Sequence, residues 1–175
     1  KQGGKWLEKV IAELKSLEPS PGAFSRGEID HETVSKMDIL HCCIKETLRM
    51  YPPLIFLMRR VVNKPLEVCG YHVPVGYNVW VSNAVAGRLP EVFPDPDTYN
   101  PGRWMNFDIR TLPSYSFIGF GAGIHTCMGE SFAFMQLRTV LSIVLSSFDL
   151  EMLGEFPDPS YEAMVVMPKG PNMIR

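Results

Sequence analysis

Residues 120–129 read Phe-Gly-Ala-Gly-Ile-His-Thr-Cys-Met-Gly, and a long apolar stretch follows them directly. Residues 128–148 have helical spacing with apolar side chains on broad faces, which predicts a buried helix. The glycines at 121, 123 and 129 let the backbone turn tightly and approach a flat, bulky group. Unpaired N–H groups and the helix dipole stabilise a thiolate at a helix N-terminus. We therefore expect Cys127 to be a soft anion beside a cleared space.

A second pattern, Lys-Glu-Thr-Leu-Arg at residues 45–49, carries an acid and a base three positions apart. That spacing places Glu46 and Arg49 on one face of the helix predicted over residues 34–50. The following Tyr-Pro-Pro sequence ends the helix. An exposed ion pair of this kind contributes little to stability, so the pattern alone is a weak signal.

The first pattern, Phe-x-x-Gly-x-His-x-Cys-x-Gly, resembles the haem-binding signature of the cytochrome P-450 monooxygenases. The second pattern resembles the core ion pair of the same family, and the two occur in the family's order. The family more often has arginine at the position of His125, and the histidine resembles the sterol 14α-demethylase branch. The resemblance implies a mainly α fold with small β-sheets (α+β). It also implies haem b, with Cys127 as the metal ligand and catalytic residue. It covers residues 6–173, so we expect residues 1–175 to be the C-terminal, haem-binding portion of a single catalytic domain.

The same resemblance implies a third member for the ion pair. Arg103, in Asn-Pro-Gly-Arg-Trp at residues 100–104, matches the arginine that joins the family's Glu-x-x-Arg pair. Gly102 replaces the family's usual glutamate. A guanidinium can hold a buried carboxylate bidentately, so Glu46, Arg49 and Arg103 are expected to form a structural triad without a catalytic role.

Contacts to the cofactor and the substrate are also implied. Arg59 and His125 are expected to bind the haem propionates, where a cation or a donor meets a carboxylate. The full set of expected haem-binding residues is Arg59, Phe120, Gly121, His125, Cys127 and Gly129. The strand after the helix and a late loop are expected to form an apolar wall for a rigid lipid, with Ile55, Phe56, Met58, Met164 and Val165 as substrate-binding residues.

Composition agrees with one globular core, since the chain has 175 residues, 46% hydrophobic, with net charge −2. This near-neutral charge gives no support to a nucleic-acid partner. The four cysteines follow no secretory pattern and include no Cys-x-x-Cys pair, which indicates a reduced compartment and argues against a structural zinc site. No run of 18 apolar residues occurs, so no membrane-spanning helix is predicted.

The remaining elements follow from periodicity and turn residues. A helix is predicted over residues 6–17, and Asp30 or Thr33 is expected to cap the short helix that follows. Further predictions are a strand at 54–62, a hairpin of 66–68 with 71–73, a strand at 78–82, a short helix at 85–88, an irregular segment at 90–104, and paired strands at 148–153 and 164–167. The other histidines, His31, His41 and His72, are expected at the surface.

The sequence thus predicts a piece of a haem-thiolate monooxygenase, a sterol 14α-demethylase, that is inactive alone. The resemblance implies that NADPH serves indirectly, through cytochrome P-450 reductase or a ferredoxin. It also implies membrane association through an N-terminal part outside this chain, at the endoplasmic reticulum if the protein is eukaryotic. The alternatives are a cytochrome P-450 that oxidises another lipophile, a non-enzymatic haem-binding module, and a structural domain with a coincidental motif.

Overall fold

The computed structural model describes residues 4–105, 113–163, 165–170 and 174. Its α-helices are α1 (Gly4–Leu17), α2 (His31–Ser35), α3 (Asp38–Met50), α4 (Asn83–Ala86) and α5 (Glu130–Ser147). Short 3₁₀ turns lie at Pro101–Trp104 and Gly123–His125. The strands are β1 (Phe56–Arg60), β2 (Leu66–Val68), β3 (Tyr71–Val73), β4 (Asn78–Ser82), β5 (Pro159–Ser160) and β6 (Met167–Pro168). Helices with small antiparallel sheets are the fold class that the sequence predicts.

The main apolar core lies where α1, α3 and α5 meet. Val10 and Leu14 of α1 pack with Leu40 and Ile44 of α3 and with Phe134 of α5. The two residues of α1 are four positions apart, as are the two of α3, so each of these helices has one apolar stripe. Burying the stripes against one another and against Phe134 holds the three helices together.

The helix predicted over residues 34–50 is interrupted, and this is a correction to the sequence-based expectation. Helix α2 is capped by Asp30, whose Oδ1 accepts a hydrogen bond from the Thr33 N–H at 2.7 Å, as expected. Helix α3 starts afresh at Asp38 because the carboxylate of Glu13 on α1 accepts from the N–H groups of Ile39 and Leu40, at 2.7 and 3.0 Å. A helix N-terminus needs such acceptors, and here another helix supplies them.

Two of the small sheets follow the predicted strands closely. Strands β1 and β4 pair antiparallel with Met58 opposite Trp80. The β2–β3 hairpin turns through Cys69 and Gly70, both in the left-handed region at φ 49° and 81°, as a tight two-residue hairpin turn requires. The short helix predicted at 85–88 begins earlier, at Asn83, because the Ser82 hydroxyl caps it by accepting from the Val85 N–H at 3.3 Å.

The predicted pairing of residues 148–153 with 164–167 is wrong. Met167 in β6 pairs with Ser160 in β5, while Met152 forms an isolated bridge with Ile174. These two-residue strands, half-buried in β5 and exposed in β6, carry no fully buried face that would fix a register, so their hydrophobic pattern does not specify a partner.

Helix α5 is less buried than its apolar sequence predicts. Phe134 and Ser142 are buried, but Phe132 is 61% exposed and Val140 is 50% exposed. In this chain α5 is contacted by α1, α2 and α3, which cover only part of its surface. Within the described ranges, no helix is both long and apolar enough to cross a membrane.

Candidate functional site

The loop that carries Cys127 is closed by its own backbone. The Cys127 N–H donates to the Phe120 carbonyl at 2.8 Å, and the Gly121 N–H donates to the Ile118 carbonyl at 2.9 Å. Gly121 and Gly123 have φ of 80° and 64°, a conformation that glycine adopts without strain. These bonds hold the cysteine at the end of a rigid turn, with Cys127 itself exposed.

The third glycine of the loop has a different reason to be there. Gly129 has an ordinary φ of −90° and is the N-cap of α5. A Cβ at this position would lie 3.7 Å from the Cys127 Sγ, so any side chain would stand against the sulfur. Ile124 and Met128, on either side of the cysteine, are 95% and 102% exposed. Cys127 therefore lies in an exposed loop that also presents two apolar side chains to solvent.

A buried ion cluster lies at the carboxylate of Glu46. Two nitrogens of Arg49, Nε and Nη2, donate to its two oxygens, each at 2.9 Å, and Arg103 Nε donates at 3.0 Å. The Asn100 N–H and the Trp104 indole N–H complete the set, each at 2.9 Å. Glu46 and Arg49 are 0% and 1% exposed, so the structure brings the three predicted triad residues together in the interior.

The two arginines also bind backbone carbonyls of neighbouring loops. Arg49 Nη1 donates to the carbonyls of Gly87 and Pro96, at 2.6 and 2.8 Å. Arg103 Nη1 donates to the Pro94 carbonyl at 3.1 Å. Charge-assisted bonds of this kind are stronger than neutral ones, so the irregular segment before the 3₁₀ turn is held to α3 by them.

The pKa of Glu46 reflects this environment. Burial alone raises the pKa of a carboxyl, but the hydrogen bonds from Arg49, the Asn100 N–H and Arg103, with the charge of Arg49, outweigh burial. The pKa of Glu46 is therefore below its ordinary value, and the group is ionised at neutral pH.

The predicted substrate-binding residues lie on and beside β1. Phe56 and Met58 are exposed on one face of the strand, and Ile55 just before it is half-buried. The Val166 N–H donates to the Pro53 carbonyl at 2.9 Å, so the late loop that contains Val165 lies beside the start of this strand. Met164, the other predicted member of that loop, lies outside the described residues.

The two predicted propionate partners are both exposed. Arg59 lies on β1, where its Nη1 donates to the Met58 carbonyl at 2.8 Å, and His125 lies in the 3₁₀ turn before Cys127. Among the described residues, no hydrogen bond joins Arg59, His125 and Cys127 to one another. Their relative positions are therefore set by the elements that carry them, and not by contacts between the three side chains.

One titratable group near α5 is missed by the sequence analysis. His41 on α3 is half-buried, not a surface residue, with its ring 4.6 Å from the ring of Phe134. Its Nδ1 is buried and has no partner within the described ranges. Burial, followed by the charges of Lys45 and Arg138, lowers the pKa of His41 to about 4, against an opposing effect of Asp38. Only its place next to the apolar stripe of α3 hinted at this.

We predict that Glu46→Ala or Arg49→Ala in the intact protein sharply lowers the yield of folded protein. Removing one partner leaves the other charge buried without compensation, which typically costs about 3–5 kcal/mol. The matched control is Arg26→Ala, which breaks an exposed Arg–Glu pair and should express like the wild type. Wild-type yield of folded protein for both buried variants would contradict the interior placement of this ion pair.

We also predict a pH effect from His41. In the folded state the pKa of His41 is about 4, whereas an unfolded histidine titrates near about 6.5. The unfolded state therefore binds the proton first, and the free energy of unfolding falls as the pH drops from about 6.5 to about 4, by up to about 3 kcal/mol.

Urea unfolding at several pH values measures this slope. His41→Gln should flatten it, and Lys45→Gln should keep most of it, because burial is the larger cause of the lowered pKa. An unchanged slope in His41→Gln would show that other groups control acid stability.

The chain is similar to known proteins along most of its length. The cytochrome P-450 family model matches residues 6–175. Sterol 14-demethylase of Arabidopsis thaliana is 43% identical over 178 residues, covering 98% of this chain and 36% of that protein. Obtusifoliol 14-alpha demethylase of Triticum aestivum is 38% identical, covering 97% of this chain and 38% of that protein. Lanosterol 14-alpha demethylase of Rattus norvegicus is 34% identical, covering 82% and 28%.

A solved structure, retinoic acid-bound cyanobacterial CYP120A1, is also similar, with a TM-score of 0.84 and 26% identity, covering 96% of this chain and 37% of that one. The chain spans about a third of the length of the curated relatives named above. Membership of the matching family implies a haem whose iron is held by a thiolate. The chain belongs to the cytochrome P-450 family.

Proposed function

We propose that the intact protein containing this chain is a haem-thiolate monooxygenase that acts as a sterol 14α-demethylase, and that residues 1–175 are the C-terminal, haem-binding portion of its catalytic domain. The observation that carries the proposal is the exposed Cys127, held at the end of a self-closed glycine loop. The names of the sterol demethylases that are 34% to 43% identical to this chain support the substrate class.

The residues of the loop fit a haem. The thiol is exposed, Gly129 leaves space beside the sulfur, and the exposed Ile124 and Met128 add apolar surface to the same loop. A soft thiolate is a ligand that haem iron accepts, and exposed apolar side chains suit a flat macrocycle. Haem supplies the oxidative chemistry when it is bound, while the protein binds, orients and excludes water.

Within this site each protein group has a separate task. Cys127 holds the metal, and the exposed Arg59 and His125 bind the haem propionates. Phe120 and Gly121 shape the loop, and the Phe120 ring lies 5.1 Å from the Phe134 ring, which fixes the loop to α5. The triad at Glu46 has a structural role. Its carboxylate is ionised at neutral pH, because its pKa is lowered, and hydrogen-bond donors occupy its oxygens.

The substrate lies against the apolar wall formed by Ile55, Phe56 and Met58, with Val165 from the late loop. The sequence-based expectation adds Met164, which lies outside the described residues. Burial of apolar surface contributes roughly 25 cal/mol for each Å², so a flat ring system binds such a wall with few polar contacts. Apolar pockets discriminate poorly between similar lipids, which is why the demethylated product, and not binding alone, has to identify the substrate.

The remaining parts of the system lie outside this chain. We propose that electrons come from NADPH through cytochrome P-450 reductase or a ferredoxin. The intact protein associates with the endoplasmic reticulum membrane, if it is eukaryotic, through its N-terminal part. With net charge −2, the chain shows no basic excess that would favour a nucleic acid.

We predict that Cys127→Ala abolishes the thiolate-type absorption band of the reduced, carbon monoxide-bound intact protein. The reason is that Cys127 supplies the sulfur ligand. The matched control is Cys69→Ala, which removes another exposed free thiol and should keep the band. Loss of the band in Cys69→Ala with retention in Cys127→Ala would overturn the assignment of the metal ligand. In a separate turnover assay of the wild type, bound haem without reductase-dependent turnover would favour a non-enzymatic haem-binding module.

We predict that the intact protein binds 14α-methylated sterols and forms the 14-demethylated product. Truncating Phe56 to alanine removes apolar area from the wall and should weaken sterol binding about 10-fold. Tyr71→Ala, which shortens an exposed aromatic on the β2–β3 hairpin, is the control and should bind as the wild type does. Titration followed by the haem spectrum, then product analysis, makes the test. Preferential fatty acid hydroxylation without sterol binding would sink the substrate claim and leave the family assignment in place.

A further inference from the structure

The backbone just before β1 is held by contacts that no strand pairing supplies. Strand β1 begins at Phe56, yet the three carbonyls that precede it all accept hydrogen bonds. The Pro53 carbonyl accepts from the Val166 N–H at 2.9 Å, and the Leu54 carbonyl accepts from the Asn83 side-chain amide at 3.0 Å. The Ile55 carbonyl accepts from the Asn83 backbone N–H, also at 3.0 Å.

These contacts come mainly from the corner where β4 ends and α4 begins. The Ser82 hydroxyl donates to the Ile55 carbonyl at 3.1 Å and accepts from the Val85 N–H at 3.3 Å. One residue therefore caps α4 and holds the incoming segment, and the next, Asn83, holds two successive carbonyls of that segment. A corner anchored to a helix start gives the segment a fixed position relative to β4.

Asn83 is unusual for a residue at a short helix start because it is 6% exposed. Its side-chain Oδ1 is buried and has no hydrogen-bond partner within the described residues. A buried acceptor without a donor carries a desolvation penalty that an apolar side chain of similar size would avoid. An apolar side chain, however, would leave the Leu54 carbonyl without its donor. The hydrogen bond to Leu54 therefore explains why an asparagine is found at this buried position.

We propose that Asn83 is a positioning residue for the substrate-facing strand. By holding the carbonyls of Leu54 and Ile55, it fixes the direction in which Ile55 and Phe56 enter the wall. A wall that is already ordered loses little conformational entropy when a ligand binds, so more of the contact free energy appears as affinity. A rigid ligand gains most, because it loses little entropy of its own. The inference rests on the proposed function, because it takes β1 to be the substrate wall.

The experiment uses the intact, haem-loaded protein with Asn83→Ala and, as a matched control, Asn78→Ala. Asn78 is an exposed asparagine at the other end of β4. Hydrogen exchange of residues 54–60 needs no ligand and reports the backbone directly. Ligand affinity is then measured with whichever lipophile, sterol or fatty acid, shifts the wild-type haem spectrum.

We expect Asn83→Ala to speed exchange of residues 54–60 and to weaken ligand binding by about 10-fold each, the usual effect of losing one hydrogen bond. Haem content should be unchanged, and Asn78→Ala should match the wild type in both measurements. Unchanged exchange in Asn83→Ala overturns the inference. Faster exchange with wild-type affinity also overturns it, because the contact would then brace the fold without positioning the wall.

Two further outcomes are distinguishable. If Asn83→Ala fails to load haem, Ser82→Ala, which removes the side-chain donor to the Ile55 carbonyl, decides by the same two measurements. If the wild type responds to fatty acids and not to sterols, the proposed substrate fails, while the ratio of variant to wild-type affinity for the fatty acid still supports or overturns the role of Asn83.

Discussion

The burial of one charged carboxylate, that of Glu46, constrains the rest of this structure. A charge in the interior is tolerated only when its lone pairs are filled, and here the five donors come from α3 and from the 3₁₀ turn, through Arg49, Arg103, Asn100 and Trp104. These groups lie 3 to 58 positions from Glu46 in the chain. The helix, the turn and the loop before it therefore have to assemble together. A buried carboxylate with only some of its hydrogen bonds destabilises the fold more than an interior without a charge would.

A ring contact and backbone hydrogen bonds lead from the Glu46 cluster to the cysteine loop. The Trp104 ring, whose indole holds Glu46, lies 5.0 Å from the ring of Phe117. The next residue, Ile118, is buried and its carbonyl accepts from the Gly121 N–H at the start of the cysteine loop. A chain of contacts thus joins the charged interior to Cys127. The loop can remain exposed and still keep one conformation, because the residues at its start are held by buried Ile118.

Much of this could be predicted from sequence because the signals are local. The glycine conformations at 121 and 123, the Asp30 cap, the hairpin turn at Cys69 and the spacing of Glu46 and Arg49 all depend on neighbours within a few residues. The break between α2 and α3 could not be predicted, since its cause is Glu13 on another helix. The Asn83 contacts, the burial of His41 and the partner of β6 are long-range in the same way.

The arrangement also separates the groups that hold the fold from the group proposed to bind the metal. The lone pairs of Glu46 are committed to five donors and its pKa is lowered, so at neutral pH it has neither a proton to give nor a free lone pair for a metal. Cys127 is the opposite case: its sulfur is exposed, and Gly129 leaves the space beside it clear. The two groups therefore have different parts: the saturated, buried carboxylate of Glu46 holds the fold, and the exposed thiol of Cys127 is the group proposed as the metal ligand.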